Sequence, residues 1–340
     1  MLVISSYGVA VLMVIITMIC WGSWANTQKL AGTQKWSFQL FYWDYCIGIL
    51  ILALILAFTI GSFGVGGQAF IPNLIQGSGS SFWNAFLGGV IFNAGNLMLV
   101  ISIEMAGMAI AFPVCVGLAL VIGVIANYIP HPIGNPVILF TGVLCVVIAM
   151  IVSALAYKKL STIDSSPDAK SKVKKGLIIA IIGGIVLGFF YRFVAASMSF
   201  DFVHLAAGKY SPYTAVVIFS VGVFLSSFLW NSINMYKPIQ GEKCTYLQYF
   251  KSGTPKLHCI GILGGIIWSI GMSFSIIASG AAGPSISYGL GQGATLIAAI
   301  WGVLIWKEFK GAPKGTNSLL GIMFAAYLIG IVLIILANIY

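Results

Sequence analysis

Apolar residues fall into ten long runs along the chain, separated by short polar segments. Apolar and polar positions do not alternate within the runs, so the pattern predicts helices rather than barrel strands, which are roughly 10 residues long. Each run can cross a hydrocarbon core of roughly 30 Å as a helix. The predicted spans are 7–26, 40–60, 82–103, 107–128, 136–157, 177–198, 212–233, 257–279, 283–306 and 316–338. The pattern therefore predicts an all-α polytopic membrane protein.

One polar segment divides the predicted spans into two groups of five. It predicts a linker over 161–176, between a first five-helix unit, 1–160, and a second, 177–340. The glycines of the third and fourth spans recur 176 residues later. These are Gly88, Gly89, Gly95 and Gly107 in the first unit and Gly264, Gly265, Gly271 and Gly283 in the second. Because five is odd, two similar units must cross in opposite senses, which predicts inverted repeats with a site near the midplane.

Composition and charge indicate that the protein lies in a membrane and which way it is oriented there. The chain is 60% hydrophobic and 7% charged, with a mean hydropathy of +1.04, so we expect lipid to be its main solvent. The net charge of +10 does not indicate nucleic acid, because the basic residues lie in short loops rather than on one face. Nearly all of the 17 Lys and Arg residues fall in odd-numbered loops. Since basic loops stay inside, we expect an inner (plasma) membrane protein with both termini outside and the linker in the cytoplasm.

The sequence carries no signature of an enzyme. The six cysteines and three histidines lack the spacing of a metal site, and neither HExxH nor GxSxG occurs. The glycine-rich segment 289–293 is similar to a phosphate loop, but it lies inside a predicted span with no strand before it. We therefore expect no catalysis, no cofactor and no metal.

Four polar residues near the middle of predicted spans are candidates for substrate binding. Asn93 and Asn96 are three residues apart and share a helix face. Such amides either bind a solute in a cleft or form interhelical hydrogen bonds, and the sequence favours neither. The positions 176 residues on are Ser269 and Met272, whereas Gln292 corresponds to Val116. This asymmetry favours binding by Asn93, Asn96, Ser269 and Gln292, because an asymmetric solute needs different partners on each side.

Aromatic residues and one arginine form a second group of candidates. Trp268 and Tyr288 lie deep in predicted spans, where a ring can stack on a heterocycle or a sugar or simply fill space. Trp24 is expected to anchor at the membrane interface, with substrate contact as the alternative. Arg192 lies inside the sixth span, so it either snorkels outward or binds a substrate carbonyl.

Two carboxylates are candidates for proton coupling. Asp44 lies about one turn inside the second span, and Glu104 lies at the end of the third. They are the only carboxylates in or at the ends of the first five spans. Either residue can carry a proton during transport, and either can instead be a solvated carboxylate at the interface.

Several short motifs resemble the ureide permease family, and they occur in that family's order over nearly the whole chain. They include Gly22-Ser23-Trp24, Tyr42-Trp43-Asp44-Tyr45 and Asn127-Tyr128, then Phe219-Ser220-Val221, Ala281-Ala282-Gly283 and Trp301-Gly302. The resemblance implies the ten-span fold of the drug/metabolite transporter superfamily, which includes rhamnose–proton symporters and bacterial glucose-uptake proteins. Ala25 stands where the family pattern has a proline, and the linker is shorter than in plant members.

The resemblance implies proton-coupled import of a neutral heterocycle such as allantoin or uracil. The alternative is import of a sugar such as ribose, rhamnose or glucose, and a membrane sensor or scaffold without transport is a third candidate. The expected partners are a small-molecule substrate, a proton or a sodium ion, and the lipid bilayer, with no nucleic acid. Assembly as a homodimer is left open.

Overall fold

A computed structural model describes residues 1–106, 108–160, 167–239, 242–307 and 309–340. The helices are α1 Tyr7–Ser23, α2 Ala25–Thr33, α3 Phe38–Phe58, α4 Phe70–Gln76, α5 Gly79–Ala106, α6 Met108–Tyr128, α7 Pro136–Leu160, α8 Pro167–Ser197, α9 Pro212–Tyr236, α10 Tyr246–Ser252, α11 Pro255–Ala282, α12 Pro284–Gly291, α13 Ala294–Ile300, a π-helix Trp301–Ile305 and α14 Thr316–Leu336. The described residues form no strand beyond one isolated bridge, so the prediction of an all-α protein is confirmed.

The helices coincide with the predicted spans. Within the described residues, nine helical segments are long and apolar enough to cross a membrane, and the described part of α6, Val114–Tyr128, is a shorter apolar helix. The first span continues through α2 to Thr33. The helix of the sixth predicted span, α8, begins at Pro167, inside the predicted linker, because proline suits the first turn of a helix. Residues 161–166 of that linker lie outside the described residues, and the count of ten stays a prediction.

Both ends of the described chain lie at the same end of the bundle. The Met1 ammonium group donates a hydrogen bond to the Gly66 carbonyl oxygen at 2.7 Å. The Tyr7 hydroxyl, at the start of α1, donates to the Ile335 carbonyl oxygen, in the last turn of α14, at 2.6 Å. The start of the first helix therefore lies beside the end of the last one.

Two helix crossings leave no room for a side chain at their centres. α3 crosses α11 at Gly48 and Gly265, and α9 crosses α5 at Gly222 and Gly89. A methyl group on any of these glycines would collide with a backbone carbonyl oxygen of the partner helix. In every case the carbonyl oxygen belongs to the residue three positions before the glycine of the partner helix. The two crossings therefore have the same register. Small residues thus bring both helix pairs to backbone contact.

Candidate functional site

A cavity of about 170 Å³ lies near the middle of the bundle. Its walls come from α1, α2, α5, α11 and the α12–α13 pair, with further residues from α6, α7, α8 and α14. Trp268, at the centre of α11, lies on one wall. Most of the lining is apolar or aromatic, and among the described residues no Asp, Glu, Lys, Arg or His side chain contributes to it.

Two of the helices that form the cavity are interrupted there. Gln292 and Gly293 separate α12 from α13, and the N–H of Gly293 bonds the Leu290 carbonyl oxygen, three residues back, at 2.9 Å. Trp24 similarly separates α1 from α2. A side chain on Gly22 would collide with the Ala294 carbonyl oxygen, so the first span packs directly on the second half of the ninth. Glycine's low helix propensity explains the break in the ninth span.

The polar side chains that line the cavity include Gln292, Asn96 and Ser153, each of which has a hydrogen-bonding group without a partner among the described residues. Gln292 is only 9% exposed, and neither end of its amide is paired within that part of the chain. Asn96 donates to the Tyr42 hydroxyl at 3.2 Å, which leaves its carbonyl oxygen free. The Ser153 hydroxyl is the third such group. Because unpaired buried amides are costly, these groups are suited to bind a polar solute.

Aromatic rings form much of the remaining wall. Trp268 stacks on Trp21, with ring centroids 5.9 Å apart and planes at 15°. Its other neighbours include Phe92, whose centroid lies 4.3 Å away. Trp24 also lines the cavity, so its side chain reaches the bundle interior. These flat apolar surfaces are suited to a planar solute.

Tyr288 contributes its ring to the cavity rather than its hydroxyl. The hydroxyl donates to the Ala119 carbonyl oxygen at 3.0 Å, and Gly123 leaves the space that the ring occupies. Of the predicted substrate-binding residues, the structure therefore brings five together around one cavity. They are Trp24, Asn96, Trp268, Tyr288 and Gln292.

Asn93 and Ser269 lie outside the cavity lining, at the two glycine crossings. The Asn93 amide nitrogen donates to the Val223 carbonyl oxygen at 3.1 Å, and its carbonyl oxygen accepts from Tyr42 at 2.7 Å. Ser269 donates to the Ile49 carbonyl oxygen at 3.2 Å. Asn93 lies four positions after Gly89 and bonds the carbonyl of the residue that follows Gly222. In the same way, Ser269 lies four positions after Gly265 and bonds the carbonyl of the residue that follows Gly48. The two side chains thus make equivalent interhelical bonds.

Arg192 also lies outside the lining. It is half-buried in α8. Burial, and then the positive charge of Arg192, lower the pKa of the His131 imidazole. Since His131 belongs to the loop between α6 and α7, the guanidinium lies toward that loop rather than toward the cavity.

Asp44 belongs to a separate cluster, which also contains Tyr249 and His258. The Tyr249 hydroxyl donates to Asp44 Oδ1 at 2.5 Å, and His258 Nδ1 lies 2.9 Å from Oδ1 and 3.0 Å from Oδ2. The Asp44 side chain is 2% exposed and that of His258 is 26% exposed. The side chain of Glu104, the second predicted proton carrier, lies outside the described residues.

The sequence pattern did not single out several residues of these sites. His258 is isolated in sequence, and it meets Asp44 only because α3 packs against α11. Ser153 is a lone hydroxyl in an apolar run, with no pattern to mark it. Tyr42 had a usable signal, since it stands in the Tyr42-Trp43-Asp44-Tyr45 motif.

A many-pass helical bundle around a cavity whose described lining has no charged side chain is the architecture of a membrane transporter of small solutes. The model of the ureide permease family matches residues 41–175 and 165–337 of the chain. The chain therefore belongs to the ureide permease family, and the resemblance in its motifs is confirmed.

Relatives of the chain match it over almost its full length. Ureide permease 1 of Arabidopsis thaliana is 22% identical, with 99% of both chains covered. Ureide permease 4 of the same plant is 23% identical at the same coverage. The probable glucose uptake protein GlcU of Priestia megaterium is 24% identical, with 97% of both chains covered. A solved crystal structure, 14% identical, has a TM-score of 0.58 over 96% of this chain and 98% of that one, which shows the fold alone.

Proposed function

We propose that this member of the family imports a small neutral ureide or nucleobase-like solute across the inner (plasma) membrane, driven by protons and without converting the solute chemically. The observation that carries the proposal is a cavity to which the described residues contribute no charged side chain and at which the amide of Gln292, nine-tenths buried, is unpaired. Asn96 offers a second acceptor, and Trp268 offers a flat surface. The urea group of a ureide is uncharged and planar and presents both N–H and C=O groups, so it complements this set.

The lining favours a neutral solute for an energetic reason. A charged group buried without a partner costs several kcal/mol, and no charged side chain of the described residues lines the cavity. The volume of about 170 Å³ is also below the range of roughly 300–1,000 Å³ that suits drug-sized ligands. Both observations favour a small metabolite.

The matched glycine crossings support alternating access between two inverted units. In such transporters the solute site lies between the repeats, at interrupted helices near the midplane. The interruption at Gln292 and Gly293 borders this cavity. The inverted repeat itself stays a prediction, and the equal register of the two crossings is what it would produce.

Sugar import is the second candidate, favoured by the similarity to the probable glucose uptake protein. Aromatic walls also suit the C–H face of a sugar ring. A sugar, however, carries several hydroxyl groups that each need a partner, and most of the cavity lining is apolar. The ureide therefore fits the described lining better.

Uptake into proteoliposomes tests the proposal. We expect purified protein to take up radiolabelled allantoin when the lumen is made alkaline, with the label recovered chemically unchanged. Unlabelled uracil should compete, whereas ribose, rhamnose and glucose should not. Competition by sugars alone would replace the ureide with a sugar, and a protein that moves none of these solutes would overturn the transport proposal.

A further inference from the structure

A buried carboxyl and a partly exposed imidazole form a pair away from the cavity. Among the described residues, His258 is the one ion-pair partner of Asp44, and the carboxylate is almost completely buried. The pair joins α3 to α11, and Tyr249 of α10 completes the Asp44 cluster, defined as Asp44, Tyr249 and His258. Trp36 packs edge-on against the His258 ring at 5.6 Å.

The protein contains a matched crossing without such a pair. Asp44 lies four positions before Gly48 in α3, and His258 lies seven positions before Gly265 in α11. The same positions in the crossing of α9 with α5 are occupied by Ile218 and Phe82. The same backbone contact thus forms there with apolar residues in place of the two ionisable ones.

Stability does not explain why one crossing has the ion pair. Burying an ionisable carboxyl costs desolvation that a partner repays only in part, and an apolar pair of similar volume is often as stable or more stable. The second crossing is an example within the same chain. A chemical role, in which the pair binds and releases a proton, accounts for the difference.

This role rests on the proton-coupled transport proposed above, and it requires a route from the pair to water. We propose that His258 transfers protons between the buried Asp44 carboxyl and the water at the lysine-rich end of the bundle. The proton on Asp44 moves to His258 Nδ1, while the proton on Nε2 leaves to water. The imidazole gains one proton and loses one, and Asp44 is left as the carboxylate.

The surroundings of the imidazole fit this route. A side chain on Gly253 would collide with His258 Nε2, so the outer nitrogen lies against the turn between α10 and α11. Gly253 has extended backbone angles open to any residue, so the glycine is required by close contacts, which are those with the His258 ring and with the Tyr249 carbonyl oxygen. The partial exposure of His258 gives the buried carboxyl its link to solvent.

The other titratable groups around Asp44 do not compete for the proton. Burial, the hydrogen bond to Asp44 and its negative charge raise the pKa of Tyr249, so its hydroxyl stays protonated and only donates. From α3 itself, the Cys46 side chain lies against α9, with its sulfur 3.2 Å from the Ser227 hydroxyl oxygen. Within the described residues, His258 is the group that can accept the proton.

Residues of α3 close to Asp44 contact the cavity wall. Tyr45, the residue after Asp44, packs against Trp24 with ring centroids 4.8 Å apart. Tyr42, half a turn earlier, binds Asn96 through its hydroxyl. A change of charge on Asp44 thus acts on a helix whose neighbouring side chains hold two residues of the cavity lining.

The second crossing supplies the test variant. We would compare the wild type, the double variant Asp44→Ile with His258→Phe, and His258→Gln, all as full-length protein in proteoliposomes. Two measurements are needed: exchange of labelled allantoin at equal pH, and its accumulation under an alkaline lumen. The matched control is His204→Gln, since His204 pairs with Asp201 at 3.1 Å on an exposed loop.

With one proton per solute, a gradient of about one pH unit drives about tenfold accumulation, and we expect this for the wild type and the control. Both test variants should still exchange allantoin and should accumulate none of it. Accumulation by the double variant would show that the pair only fills space. Loss of exchange in both variants would show that the pair is needed for solute movement itself and would overturn a role in proton transfer alone. A wild type that exchanges without accumulating would also overturn the inference, whereas one that moves no solute would overturn the proposed function itself.

Discussion

Asn93 and Asn96 share a face of α5, yet their amides have different surroundings. Asn93 is fully buried, with its nitrogen bonded to α9 and its oxygen to Tyr42. Asn96 is one turn further along, where the same Tyr42 hydroxyl occupies its nitrogen and the cavity leaves its oxygen free. Gln292 has no such neighbour at either end of its amide within the described chain. The partners that the other helices supply therefore separate a structural amide from a binding one.

This difference predicts opposite outcomes for variants of the two kinds of amide. Gln292→Ala and Asn96→Ala should weaken allantoin binding about two- to tenfold, because one hydrogen bond contributes roughly 0.5–1.5 kcal/mol. Asn93→Ala should keep the affinity and lower the thermal stability, because it leaves the Tyr42 hydroxyl without its acceptor, at a cost of roughly 1–3 kcal/mol. Calorimetric titration and thermal melting of purified variants measure both quantities. An Asn93→Ala protein that binds as weakly as Gln292→Ala would contradict this division.

At the scale of helices, glycine determines how the elements meet. The crossings of α3 with α11 and of α9 with α5 depend on glycines whose hydrogen atoms face backbone carbonyl groups. A backbone carbonyl cannot move aside as the end of a flexible side chain can, so an added methyl group cannot be accommodated without moving the two helices apart. The ninth span shows the other use of glycine, where Gly293 helps to end α12 beside the cavity.

Gly48→Ala and Gly222→Ala should therefore each destabilise the protein by about 1–3 kcal/mol, as overpacking does in other cores. The matched control is Gly321→Ala, because that glycine of α14 has open space around it. The control should be neutral or stabilising by up to about 1 kcal/mol, since alanine is the better helix former. Melting temperatures from size-exclusion profiles of heated, detergent-solubilised protein would show the ranking. Equal melting temperatures for Gly48→Ala and the wild type would mean that the crossing opens freely.

At the scale of the whole molecule, the basic loops gather at one end of the bundle and the chain ends lie at the other. Lys29 lies over the Trp306 ring at 4.0 Å, which brings the ends of the first and ninth spans together. The Lys159 ammonium lies beside Gly315, so the end of α7 meets the start of α14. Met1 is bonded to the loop after α3. This segregation is the arrangement from which the positive-inside rule predicts an orientation.

The orientation can be tested by labelling single cysteines after the six natural ones are removed. Gly79→Cys, at the start of α5, should react with an impermeant maleimide in intact cells, and Glu242→Cys, before α10, should not. Both positions are exposed, so both should react once the cells are permeabilised. The reverse pattern would invert the topology and place His258 on the outer side.

Local sequence was enough to predict the helices, because a chain in lipid must pair its own backbone groups and apolar runs of this length do so only as helices. The basic loops, the glycine recurrence and the family motifs were also readable directly, since each is a property of sequence spacing. Gln292 and Asn96 could also be named as candidates from the sequence, because amides within apolar spans are rare and costly in hydrocarbon.

Which of these polar groups face a cavity was decided by the tertiary structure alone. Asn93 and Ser269 have the same local signature as Asn96, and only α9 and α3 supply the carbonyl groups that occupy them. His258 and Asp44 are 214 residues apart, and the crossing of α11 with α3 makes them a pair. A hydrogen bond depends on where both partners lie in space, and for partners far apart in the chain that position is set by helix packing rather than by local sequence.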